Sequence, residues 1–191
     1  MTRRYPVEFS LSWQCCILGS ILLMLLPLRL LLAAATAAAI HECCHLLALL
    51  AFRVQIFRIE IRAEGARIQT EPMKPEKEFI CAAAGPAGSF LCLCVFRFFP
   101  LLALCGFIQG LYNLLPIYPM DGGRMVHCAA KRFAPACAER ITHIVGILTV
   151  FAATVFCVVL WVRTGAAVFL IICTYFVFKT GAGRKTPCKA G

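Results

Sequence analysis

The sequence predicts an all-α polytopic membrane protein of about six transmembrane helices, with a small cytoplasmic β-hairpin between the second and the third. Three observations predict it. Of 191 residues, 61% are hydrophobic and only 15% charged, with a mean hydropathy of +0.85. So short a chain has too little interior to hide that much apolar surface from water. Mostly apolar runs near the roughly 20 residues that a crossing helix needs recur at residues 11–28, 30–52, 79–98, 101–118 and 142–162, with a shorter one at 166–178. With the N-terminus placed inside, 16 of the 19 Lys and Arg fall on the cytoplasmic side and only Arg29, Arg97 and Arg163 outside. Cytoplasmic loops show that excess. The net charge of +10 thus has a topological explanation, and no nucleic-acid partner is expected.

Each element follows in order. Pro27 and Arg29 make a tight turn between the first two spans. Residues 53–78 are polar and unlike a helix: Val54, Ile56, Ile59, Ile61 and Ile68 alternate with charged residues, and Glu64-Gly65 marks a turn, so a β-hairpin is expected. The fourth span should end irregularly, because Pro116 and Pro119 cannot continue a helix and Gly122-Gly123 frees the backbone after them. A surface helix is expected around residues 124–132, ended by Pro135. One domain of residues 1–179 and a disordered basic cytoplasmic tail at 180–191 complete the expectation. The 13 cysteines include no C-x-x-C pair and no secretory cleavage site precedes them, so free thiols are expected.

An ionisable residue inside a span costs several kcal/mol and marks function by default. The second span holds three in His41-Glu42-Cys43-Cys44-His45, with His41 some 11 residues, about 16 Å of helix, inside Phe52. From this composition an H-E-x-x-H match is expected by chance only about 0.003 times. Positions i and i+4 share a helix face, so two imidazoles can grip one Zn²⁺. Glu42 projects about 100° around, where it can take a proton from water activated by the metal. A catalytic zinc wants a third protein ligand. Asp121 is the better candidate than His127 or His143. It is the chain's only Asp, and the only Asn, Asn113, stands in the same segment, Asn113-Leu-Leu-Pro116-Ile-Tyr-Pro119-Met-Asp121-Gly122-Gly123. A bare helix terminator would explain the prolines and glycines but not that Asn and Asp. Cys43 and Cys44 lie partly off the ligand face and are expected to pack.

The two motifs together resemble the site-2 protease family of intramembrane zinc metalloproteases, peptidase family M50. They look most like its sporulation branch, which processes a sigma-factor precursor in spore-formers. The motif-bearing part covers about residues 30–125. The resemblance implies one Zn²⁺ per chain held by His41, His45 and Asp121, with Glu42 as general base. It also implies that Asn113 hydrogen-bonds substrate or stabilises charge on the scissile carbonyl, and that Pro116 and Pro119 line the substrate path. Gly85-Pro86-Ala87-Gly88 is similar to the family's Gly-Pro element; its small residues equally suit close helix packing, as do Gly106 and Gly110.

The implied reaction is peptide hydrolysis in or near a transmembrane segment of a membrane-associated regulatory protein. The implied setting is a bacterial cell membrane, forespore-associated in the sporulation branch, with both termini cytoplasmic. Partners are the lipid bilayer, the protein substrate and an inhibitory membrane protein. The hairpin edge would guide an extended substrate, so proline at Ile59 or Ile61 should slow cleavage. A competing expectation is a metal-ion or proton transporter with His41, His45 and Asp121 on the pathway. It leaves Glu42 without a task, and Thr36 is nearly the sole polar residue outward of His41. A catalytically silent membrane chaperone is the third.

Overall fold

The computed structural model describes residues 8–62 and 65–165. The expected sixth span at 166–178, the basic tail and the residues Glu64, Arg3, Arg4 and Tyr5 lie outside them. The chain divides into two compact units, Met1–Tyr112 and Asn113–Gly191.

The first unit opens with strand β1 (Glu8–Leu11) and helix α1 (Trp13–Leu25), then α2 (Leu28–Ala51). Pro27 is the residue before α2, and so the expected tight turn forms there. α2 is inside out for a water-soluble helix. Ala37, His41, His45 and Leu49 form its buried stripe, four residues apart. Leu28, Leu32, Leu47 and Leu50 are exposed. Polar groups inward and leucines outward is the arrangement that a lipid environment favours. α2 ends at Ala51, with Arg53 in the left-handed region at φ 54°. Arg53 N–H bonds Leu50 O at 2.9 Å and Val54 N–H bonds Leu49 O at 3.0 Å. Those two bonds close a helix end whose apolar partners, Leu49 and Val54, then pack together with Cys81.

Strands β2 (Ile56–Arg62) and β3 (Gly65–Thr70) form the expected antiparallel hairpin. The sheet has a third strand beyond the expected hairpin. β1 pairs parallel with β2, Phe9 beside Ile59 and Leu11 beside Ile61, so the order is β1-β2-β3. Arg58 Nε donates to Glu8 at 2.9 Å across that pair. The hydrogen bond and charge of Glu8 push the Arg58 guanidinium further above its ordinary range. Residues 8–11 alternate Glu-Phe-Ser-Leu, a strand pattern too short to stand out from the apolar run that follows. Ile56 and Ile68 pack against the Leu49–Val54–Cys81 cluster and so tether the sheet to the end of α2. α3 (Pro75–Leu91) starts on a proline, continues through a 3-10 turn at Cys92–Val95, and is followed by α4 (Pro100–Asn113).

The second unit holds the irregular segment 114–120, α5 (Asp121–Phe133), a 3-10 turn at Pro135–Cys137 and α6 (Ala138–Thr164). α5 is the expected surface helix, and Pro135 follows its end. Ala138, Thr142, Gly146 and Val150 form a buried stripe along α6.

Among the described residues, three helical stretches are long and apolar enough to cross a membrane: Leu28–Ala51, Pro75–Val95 and Pro135–Thr164. They correspond to the second, third and fifth expected spans. The first and fourth are shorter than expected. α1 has 13 residues and α4 has 14, about 20 Å of helix each against some 30 Å of hydrocarbon. Residue 11 belongs to β1, and residues 114–118 leave the helix ahead of the prolines.

Candidate metal centre

α2 and α3 pack side by side in the first unit, and the histidines of α2 meet small or polar residues of α3. His41 and His45 are buried, and their Nε2 atoms stand 3.2 Å apart. Two ligands about 2.05 Å from one tetrahedral ion would be separated by roughly 3.3 Å. The pair fits such an ion. His45 Nδ1 lies 2.7 Å from the Cys81 carbonyl. A carbonyl only accepts, so Nδ1 carries the proton and Nε2 keeps its lone pair for a metal. His41 Nδ1 lies 2.8 Å from Ser89 Oγ.

Gly85 explains why the small residues of α3 lie here. A Cβ on it would stand 2.2 Å from His45 Nε2 and 2.8 Å from His41 Nε2. The glycine leaves the room that the imidazoles occupy, which is more than the close helix packing expected of it. Gly88 does the same for Cys44, whose Sγ would be 2.2 Å from an added Cβ. Cys44 is thus a packing residue, as expected, while Cys43 is exposed.

Glu42 is half-buried, and its carboxylate reaches β3: Ala66 N–H donates to Oε1 at 3.2 Å. A Cβ on Gly65, where φ is 122°, would also meet that oxygen at 3.4 Å. The backbone of β3 therefore holds the Glu42 carboxylate in place. Nothing in the local sequence signals that contact. The same is true of Ser89 and of the Cys81 carbonyl, since both arrive from a separate helix.

In the second unit, Asn113 ends α4 and Asp121 is the first residue of α5. Asp121 is buried, within 4.0 Å of Arg124 one turn along the helix. Pro116 and Pro119 lie in the irregular segment, with a cis bond at Tyr118-Pro119. Ile117 N–H bonds Leu115 O at 2.7 Å and Met120 N–H bonds Ile117 O at 2.8 Å. The segment folds back on the start of α5. A Cβ on Gly122 would lie 2.1 Å from Leu114 O, and one on Gly123 2.4 Å from Tyr118 N. The glycine pair thus serves close backbone approach within the unit. His127 Nδ1 lies 3.2 Å from Thr142 Oγ1, a hydrogen bond between α5 and α6. His143 is exposed.

A family model described as Peptidase family M50 matches residues 89–153. Among curated proteins, none matches the sequence. Among solved structures, the chain is similar to the Site-2 Protease from Methanocaldococcus jannaschii, with a TM-score of 0.66 over 98% of this chain and 95% of that one. The fold is that of a site-2 protease. Identity across that match is 19%, so what the two chains share is architecture.

Proposed function

We propose that this chain is an intramembrane zinc metalloprotease. The observation that carries the reading is the buried His41–His45 pair, with both Nε2 atoms at metal-ligand spacing in a chain with the site-2 protease fold. His41, His45 and Asp121 are each buried and each offers a ligand atom, and Asp121 is proposed to complete the set. A bound zinc would supply a Lewis acid and lower the pKa of water. Glu42 accepts the water proton and returns it to the leaving amine; the Ala66 N–H holds its carboxylate in orientation. Asn113 is assigned to the substrate carbonyl, and Pro116 and Pro119 to the wall of the substrate path.

The substrate is a membrane-associated regulatory protein, delivered unwound because a helix hides its carbonyls in hydrogen bonds. A sigma-factor precursor of a spore-former is the first to test, together with an inhibitory membrane partner. Strand addition is proposed at β3. Ile59 and Ile61 lie on the central strand β2, where proline would break the sheet itself, so they do not test the guide. The proposed topology is six spans with both termini cytoplasmic. The transporter reading is not favoured, since it has no use for a Glu42 carboxylate held by the β3 backbone.

Zinc per chain in detergent-purified protein, measured by elemental mass spectrometry, tests the reading. About one zinc is expected in wild type, with loss in His41→Ala and Asp121→Ala. Glu42→Gln should keep the zinc and abolish cleavage. Zinc that survives Asp121→Ala unchanged would remove the third ligand, and transport that persists in Glu42→Gln would favour the alternative.

A further inference from the structure

The two histidines are anchored differently. His45 faces a main-chain carbonyl that the fold of α3 supplies whatever the side chain at residue 81. His41 Nδ1 meets a side chain instead, the hydroxyl of Ser89. Ser89 is fully buried. α4 also packs closely on it: a Cβ on Gly106 would lie 2.7 Å from Ser89 O, and one on Gly110 3.1 Å from Ser89 Cβ. The glycines of α4, four residues apart, therefore set how close that helix comes to Ser89, and Ser89 sets the ring of His41.

We propose that Ser89 is a positioning residue of the metal centre. Its hydroxyl accepts the Nδ1 proton of His41, which leaves Nε2 as the ligand atom, and the Gly106–Gly110 ridge of α4 fixes where that hydroxyl stands. The inference rests on the proposed metal-centre reading. Groups that hold the outer nitrogen of a ligating histidine affect metal affinity by about 10–100-fold, and Ser89 is assigned that role here. The local sequence gives no hint of it, because a serine in an apolar helix normally bonds its own backbone.

The test is zinc affinity of the full-length protein in detergent, by competition with a chromophoric chelator, beside the visible spectrum of the Co²⁺-substituted protein. Ser89→Ala is expected to weaken zinc about 10–100-fold and to alter the Co²⁺ bands, which a packing role alone would leave unchanged. Gly110→Ala keeps the hydroxyl but presses on the Ser89 Cβ at 3.1 Å, and on the Phe90 ring at the same distance, so a smaller loss in the same direction is expected. Gly19→Ala, with open space around it, should bind as wild type does. Wild type that binds no zinc overturns the metal-centre reading and this proposal with it. Wild type that binds, beside an unchanged Ser89→Ala, overturns the role of Ser89 alone. If Ser89→Ala does not remain monodisperse, Gly110→Ala decides, and unaltered affinity and bands there overturn the proposal.

Discussion

The helix pair that carries the histidines and the loop that carries the aspartate solve one problem in opposite ways. Each must hold polar side chains in an apolar setting. In the first unit, regular helices do it: the i, i+4 spacing stacks His41 over His45, and α3 offers a carbonyl, a hydroxyl and a glycine gap in return. In the second, the backbone does it. Residues 114–120 leave the helix, turn back, and lie against Gly122 and Gly123 so that Asp121 starts a new helix. A glycine in the first region makes room for the tips of side chains, while in the second it makes room for main chain. The same substitution should therefore have different consequences.

The largest effect on stability is expected at Gly122→Ala. The added methyl would stand 2.1 Å from Leu114 O, and main chain within a tight fold has nowhere to go. The cost should reach the top of the ~1–3 kcal/mol range for overpacking, or exceed it, seen as a lowered unfolding temperature in detergent and as lost cleavage. Gly85→Ala should separate the two properties. Its methyl meets the outer atoms of His45 and His41, so the rings are displaced while the helices stay, and the cost is expected at the low end of that ~1–3 kcal/mol range. Zinc content should fall from about one per chain to near zero. If Gly85→Ala instead unfolds the protein and Gly122→Ala only loses zinc, the contrast between the regions is wrong. The smallest effect is expected at Glu8→Gln. The Arg58 pair is exposed, solvent screens it, and the unfolding temperature should not change measurably. A clear drop would mean that β1 is held by that ion pair more than by its ladder with β2.

The contrast also explains how much was legible. Periodicity along one helix is a local property, so His41-Glu42-Cys43-Cys44-His45 points to a histidine pair on one face from the spacing alone, and the two side chains are buried together. That the prolines give α4 an irregular end is readable for a similar reason, since proline acts on its own helix, but the helix stops at Asn113, short of the expected residue 118. The hairpin was readable from alternation, but β1 was not: four residues next to a long apolar run carry too little pattern, and a parallel partner some fifty residues away is not a local signal. Helix lengths at α1 and α4 were overestimated because hydropathy marks apolar residues, whether or not the backbone there is helical.

By itself, the sequence determined the setting in lipid, the helical architecture and the residue types able to hold a metal. Each of these depends on composition or on neighbours within one turn. Tertiary structure alone decided which atoms hold those residues in place: the Cys81 carbonyl on His45, the Ser89 hydroxyl on His41, the Ala66 N–H on Glu42 and the Gly85 gap between helices. The physical reason is that a buried polar group must find a partner, and that partner is supplied by whichever element packs against it, however distant in the chain.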